Sequence, residues 1–228
     1  MMKNVVRAVL FASLAFSCAA QAMVVRGTGS GALRGGDLTD PENNGNASSY
    51  LNYNATFRSS VEPFFYSEGA FNVFDNVVGG GDAKWCCDAG NVWVEADFGT
   101  KRYVLTGFTA TSGNDATDRD SDNWKILGSN DGVNYTTIFA YDKPGVSAWG
   151  NTRLQVNEYL ANVDFVTPAA YSIFRYQSTH TVGNYMHQIN ELEFFGNQAT
   201  VPEPATFGLL GLGLAGIIAA RRRKAKQV

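Results

Sequence analysis

The 228-residue chain contains only two histidines and three cysteines. His180 and His187 lie seven positions apart near the end of the central segment, and no G-x-S-x-G, H-E-x-x-H or P-loop pattern occurs anywhere. The sequence signatures of nucleophile elbows, zinc hydrolases and nucleotide binders are therefore missing. A Cys–His pair joined only in space and a glycosidase-type carboxylate pair stay open, because neither leaves a local pattern. Zinc at motif spacing is excluded, since nothing joins Cys86 and Cys87 as third and fourth ligands. Basic residues are also scarce where they would matter. Residues 23–200 hold 11 Lys and Arg against 20 Asp and Glu, a formal charge of −9 that the basic ends mask in the whole-chain value of −3. So acidic a segment is a poor partner for nucleic acid or anionic lipid and is compatible with divalent cations and neutral sugars.

The two ends have their own chemistry. Lys3 and Arg7 precede an apolar run over 8–16 and a small-residue stretch ending Ala20-Gln21-Ala22. This order predicts a signal peptide over 1–22, cleaved after Ala22, since the run is too short for a permanent span. At the other end, Pro202-Glu203-Pro204 is followed by an apolar Gly-rich stretch over 205–220 and by Arg221, Arg222, Arg223, Lys224 and Lys226. As a helix that stretch is roughly 24 Å long, slightly short for a bilayer core, and its basic end should stay cytoplasmic. A plain anchor has no need of Pro-Glu-Pro at the membrane boundary. The tail, 197–228, resembles the PEP-CTERM sorting signal of Gram-negative bacteria, with Pro202, Glu203 and Pro204 as the motif. The resemblance implies an exosortase as partner, transient anchoring, and delivery to the cell surface or extracellular matrix.

Between the ends the pattern is that of short strands. Val92, Val94, Ala96 and Phe98 alternate with Trp93, Glu95 and Asp97, and further runs rich in β-branched and aromatic residues cover 102–112, 124–128, 135–141, 152–157, 171–178 and 188–195. Ser129-Asn130-Asp131-Gly132 is turn chemistry. No convincing helical stretch intervenes, so the fold class is all-β, a sandwich or barrel. Residues 55–60 form a candidate first strand, and the Gly- and Asn-rich 23–54 reads as a lead-in loop. Export favours oxidation of Cys86 and Cys87. A bond between neighbours needs a strained ring, so two half-buried thiols or an intermolecular bridge are the expectation.

Phe74-Asp75-Asn76, Lys84-Trp85, the 93–99 run WVEADFG, the 124–135 run WKILGSNDGVNY, and the 171–176 and 189–196 segments occur in the order of a discoidin domain. Residues 55–196 thus resemble the coagulation factor 5/8 C-terminal type. The resemblance implies a galactose-binding-like jelly-roll β-sandwich used mainly for binding rather than catalysis. It also implies a structural Ca²⁺ between Asp75 and Glu191, with Asp82 standing in for a Thr replaced by Ala83. The Asp115–Asp122 acidic stretch, by contrast, fails the EF-hand pattern, with Asn123 where Gly belongs and Ser129 where Glu belongs. A sugar site needs an aromatic platform and a few directional polar groups. The candidates are Trp149 in the 145–151 loop, Asn184 and Tyr185 near the last hairpin, and Arg119 with Asp120. The sequence thus reads as an exported, non-catalytic surface or matrix protein whose sandwich binds glycan or another surface component. A structural part of an extracellular polymer without a defined ligand, or a secreted hydrolase, are the alternatives.

Overall fold

A computed structural model describes residues 23–46, 51–61, 67–88 and 91–200; the signal-peptide and sorting-tail expectations fall outside these residues. Twelve antiparallel strands carry the described part. They are β1 (Val24–Thr28), β2 (Thr56–Ser59), β3 (Trp85–Cys86), β4 (Val92–Asp97), β5 (Tyr103–Thr111), β6 (Ser121–Ser129), β7 (Thr136–Asp142), β8 (Gln155–Leu160), β9 (Ala170–Tyr171), β10 (Ile173–Thr181), β11 (Gln188–Ile189) and β12 (Leu192–Gln198). One sheet runs β1-β8-β5-β12, with β9 extending the β8 side of β5, and the other runs β2-β4-β10-β6-β7. β3 and β11 form a separate two-stranded ribbon. The helical segments among the described residues are 3₁₀ turns of three to five residues.

The alternation in β4 has the anticipated consequence. Val92, Val94 and Ala96 are buried between the sheets, whereas Trp93 and Asp97 are half-buried on the outer face. Glu95, on that outer face, is nevertheless buried, because Arg175 of β10 lies against it at 2.7 Å and the Tyr135 hydroxyl donates to it at 2.7 Å. Between the sheets, Trp124 meets Phe108 edge-on at 6.2 Å, and Phe108 stacks on Tyr159 at 4.8 Å. The 129–132 turn closes as its residues require. Ser129 Oγ accepts the Gly132 N–H, Asp131 Oδ1 accepts the Val133 and Asn134 N–H groups, and Gly132 takes a positive φ of 70°.

Three segments depart from the sequence reading. Val24–Thr28 is not lead-in but an edge strand paired with β8, and Leu38 N–H then donates to Phe194 O, so much of 23–46 packs as part of the sandwich. The run expected at 152–157 begins as a strand only at Gln155, because Leu154 takes a φ of +56°. The run expected at 188–195 is split. Gln188–Ile189 pairs with β3 and Leu192–Gln198 with β5, leaving Asn190 and Glu191 between two ladders.

His187, just before β11, is fully buried. Its Nε2 lies 3.1 Å from the Tyr176 hydroxyl, and Trp85 meets its ring edge-on at 4.6 Å. Burial pushes its pKa from the ordinary 6.5 down to about 3. The unfolded chain therefore takes up this proton first as the solution is acidified. The stability that neutral His187 contributes is complete above about pH 6.5 and falls by about 1.4 kcal/mol per pH unit toward pH 3. Urea unfolding of wild type and His187→Gln at pH 7, 5.5 and 4.5 should show a flatter acid limb in the variant. Equal slopes would mean that His187 titrates normally.

Candidate functional site

The site grows out of the β3–β11 ribbon. Trp85 is completely buried and its indole N–H donates to Asp88 Oδ2 at 2.7 Å, so the chain is anchored inside at Trp85 and emerges directly after it. Cys86 is 8% exposed and Cys87 is exposed. Cys86 N–H donates to Glu68 O and Cys87 N–H to His187 O, and Cys87 takes a φ of +92°. This turn folds the two side chains onto each other, and Cys86 and Cys87 are joined in a disulfide between adjacent residues. The expectation of separate thiols or an intermolecular bridge is thereby corrected. Pairing on β11 holds the first cysteine while the left-handed second one swings its sulfur back.

Glu68 and the 115–119 segment close on this disulfide, and Lys84 and Tyr185 are tied to them. Arg119 places Nη1 3.9 Å from each cysteine sulfur and 3.7 Å from Asp115. The Glu68 carboxylate and both sulfurs lie within 4.8 Å of one another. Lys84, 2% exposed, donates to Asn114 Oδ1 at 2.7 Å and lies 3.5 Å from both Glu68 and Asp115. The Tyr185 hydroxyl donates to Asp118 Oδ2 at 2.8 Å and interacts with Arg119, while the ring is 42% exposed. The loop geometry that makes this possible is tightly held. The Gln188 amide donates to the Asp115 and Ala116 carbonyls, and Gly183 N–H donates to Asp118 O at 2.6 Å. A Cβ at Gly183 would stand 2.9 Å from that same carbonyl, so only glycine permits the approach. The arrangement offers directional donors and acceptors beside the exposed Cys87. It can hold a polyhydroxylated ligand.

Of the ligand candidates read from the sequence, Arg119 and Tyr185 meet here, with Asn184 beside them in an exposed turn at φ +56°. Asp120 and Trp149 do not face this surface. Asp120 is buried, bonded through both oxygens to Arg153 at 2.8 and 2.7 Å and to Ser147 Oγ at 2.6 Å. Trp149 is 3% exposed, donates its indole N–H to Ala110 O at 3.0 Å and stacks on Trp124 at 6.2 Å. Its place is the core, and it leaves no face for a sugar ring. Glu68, Lys84 and the disulfide were missed. The visible signal was a cysteine pair directly after a tryptophan in an exported chain.

A second group of acidic residues lies where Asn190 and Glu191 leave the ladders. Glu191 is completely buried, and neither of its carboxylate oxygens has a hydrogen-bond partner. Burial, then Asp75, Glu193 and Asp37, raise its pKa well above the usual range; the Asn76 N–H offsets part of this without reaching hydrogen-bond geometry. Burial likewise pushes Asp75 up to about 7, although the Val77 N–H opposes it, and Asp37 up to about 6. A fully buried carboxylate with no hydrogen-bond donor, Glu191, close to the half-buried Asp75 is an arrangement that a hard cation fits. Asp82 sits exposed in the Gly81–Ala83 turn and is not among the groups that shift either carboxylate.

A model of the F5/8 type C domain matches residues 54–192, more than half of the chain. The chain belongs to the F5/8 type C family. A model of the PEP-CTERM protein-sorting motif matches residues 200–224, which include Pro202, Glu203 and Pro204. The motif marks an exported protein sorted to the surface of a Gram-negative cell and implies exosortase processing. No curated protein matches the chain. Solved structures similar to it include CpGH89CBM32-5 from Clostridium perfringens in complex with GalNAc-β-1,3-galactose, at 15% identity and TM-score 0.49, covering 63% of this chain and 96% of that one. The family 32 module of NanJ from C. perfringens, in complex with galactose, is 17% identical at TM-score 0.46, covering 65% and 96%. A fucolectin from striped bass serum is 16% identical at TM-score 0.49, covering 68% and 50%.

Within this F5/8 type C domain the reassignment of Trp149 has a measurable consequence. Truncating a large buried aromatic side chain removes its transfer free energy and leaves a cavity. Trp149→Ala should lower the unfolding free energy by about 3–5 kcal/mol in a denaturant titration. Wild-type stability in that variant would return Trp149 to the surface.

Proposed function

We propose that this F5/8 type C domain is a non-catalytic glycan-binding module, displayed at the cell surface or in the extracellular matrix after sorting through its C-terminal motif. The observation that carries the reading is the cluster of Glu68, Arg119 and Tyr185, from three separate segments, beside the exposed Cys87, with the buried Lys84 paired to Glu68. Arg119 supplies donors, Glu68 an acceptor, and Tyr185 an exposed ring beside them. Nothing among the described residues aligns a nucleophile with a base at this surface. The cysteine sulfurs are bonded to each other, and both histidines are engaged elsewhere, His180 with Asp122 at 2.6 Å and His187 with Tyr176. Binding to a glycan array should be lost or weakened at least tenfold by Arg119→Ala, as expected for removal of a charge-assisted hydrogen bond of about 1.5–3 kcal/mol. The melting temperature should be unchanged. Unaltered binding in that variant would move the site elsewhere on the domain.

The same reading includes a structural calcium held by Glu191 and Asp75. Calcium would supply the charge that these two carboxylates lack, and loop carbonyl oxygens would complete its shell. Because the cation binds only the folded chain, it stabilises by mass action. Excess chelator should lower the melting temperature of the wild type and leave Glu191→Gln unaffected. A wild-type melting temperature indifferent to chelator would remove calcium from the account.

A further inference from the structure

Among the described residues Lys84 is the only buried lysine. It stands between the Gly81–Ala83 turn and β3, with its side chain 2% exposed. A buried ammonium is ordinarily held by a carboxylate at hydrogen-bond length. Here both carboxylates stand off, Glu68 Oε1 and Asp115 Oδ1 each at 3.5 Å from Nζ. The short contact is to a neutral amide, since Nζ donates to Asn114 Oδ1 at 2.7 Å. With a C=O bond of about 1.2 Å, that contact sets Nζ about 3.0–3.9 Å from Asn114 Cγ, a span that includes the separation of reacting atoms poised for attack. The other end of the same amide faces Gly80. A Cβ at Gly80 would stand 2.9 Å from Asn114 Nδ2, so glycine leaves that nitrogen unobstructed.

We infer that Lys84 and Asn114 are joined by an intramolecular isopeptide bond, Nζ to Cγ, formed after folding with release of ammonia. An amine, an amide carbon and two flanking carboxylates are the parts this reaction needs. Glu68 takes one proton from the Lys84 ammonium and passes it to solvent. The freed electron pair on Nζ forms the Nζ–Cγ bond, and the C=O pair moves onto Oδ1. Asp115 removes a second proton from Nζ and delivers it to Nδ2. The pair on Oδ1 then reforms the carbonyl, the Cγ–Nδ2 bond breaks, and Nδ2 leaves as ammonia. One amide replaces another, so no oxidant or reductant takes part.

The bond supplies what the disulfide cannot. Cys86 and Cys87 are neighbours, so their sulfurs close no loop between distant segments. Lys84 and Asn114 are 30 positions apart, and joining them ties the start of the ribbon to the segment that follows β5. A crosslink of that span constrains the unfolded chain as a long-range disulfide does, and it is indifferent to reductant.

The test is peptide mapping of the wild-type protein after reduction, alkylation and digestion with trypsin. Cleavage at Arg58, Lys101, Arg102 and Arg119 separates residues 59–101 from 103–119 unless a bond joins them. The two arms should be recovered as one branched peptide, uncut after Lys84 and about 17 Da lighter than their sum, the mass of one ammonia. In Glu68→Gln with Asp115→Asn, the branched fraction in freshly made protein should fall about tenfold or more. An undiminished fraction in that variant overturns the proton route through the two carboxylates. Recovery of the wild-type arms as separate peptides, cut after Lys84, overturns the isopeptide bond. A loss of about 17 Da confined to the 103–119 fragment overturns it equally, since that is ring closure of Asn114 on its own backbone.

Discussion

The two-residue ribbon between β3 and β11 is the constraint on which both the disulfide cluster and the acidic cluster depend. Its register pairs Ile189 with Trp85 and Gln188 with Cys86. On one side, it buries Trp85 and so forces the chain out at the cysteine pair. On the other, it takes residues 188–189 away from the main sheet, and the chain rejoins that sheet only at Leu192. Glu191 stands at that crossing, its carbonyl accepting the Thr111 N–H while its carboxylate is buried with no hydrogen-bond partner. Gln188 adds a third link, since its side-chain amide holds the carbonyls of residues 115 and 116 and thereby sets the turn that carries Arg119. A short antiparallel pairing thus positions the disulfide cluster and the acidic cluster together.

Buried carboxylates are handled here in two physically different ways. Asp120 and Glu95 are compensated in place. The first meets Arg153 through both oxygens, and the second meets Arg175, whose guanidinium also lies 3.8 Å over the rings of Trp93 and Tyr135. Such pairs fix geometry more than they add stability, because desolvation offsets much of the Coulomb attraction. Asp120 accordingly acts as a strut, tying Ser147 and Arg153 of the loops flanking Trp149 to the start of β6. Glu191 and the half-buried Asp75 meet no cationic side chain, and desolvation raises their pKa values more than the Asn76 and Val77 N–H groups lower them. The contrast separates acids matched by an arginine from acids that no cationic side chain meets.

Much of the fold was legible because strand patterning is local. The 92–98 alternation, the 102–112 run and the Asn-Asp-Gly turn each appear in the structure close to where they were read. The lead-in was misread because its strand-forming residues are few and Gly-rich. Val24–Thr28 is a strand only because β8 offers it an edge. Of the candidate residues, Arg119, Asn184 and Tyr185 lie together in the structure, and Asp75 lies near Glu191. Trp149 and Asp120 looked equally eligible, since a tryptophan between alanine and glycine and an aspartate beside an arginine carry no mark of burial.

The sequence by itself determined what depends on composition and order. Those are the acidic centre, the absence of catalytic motifs, the sorting motif at the C-terminus, and a family membership spread over an ordered series of short segments. The tertiary structure decided what depends on distance between remote segments. It closed the cysteines on each other, sent Trp149 and Asp120 inward, and brought Glu68 and Lys84 to Arg119 and Tyr185. The physical reason is that strand propensity and turn chemistry act over a few residues. Burial, pairing of charges and the shape of a binding surface are set by contacts between residues as far apart in the chain as Glu68 and Tyr185.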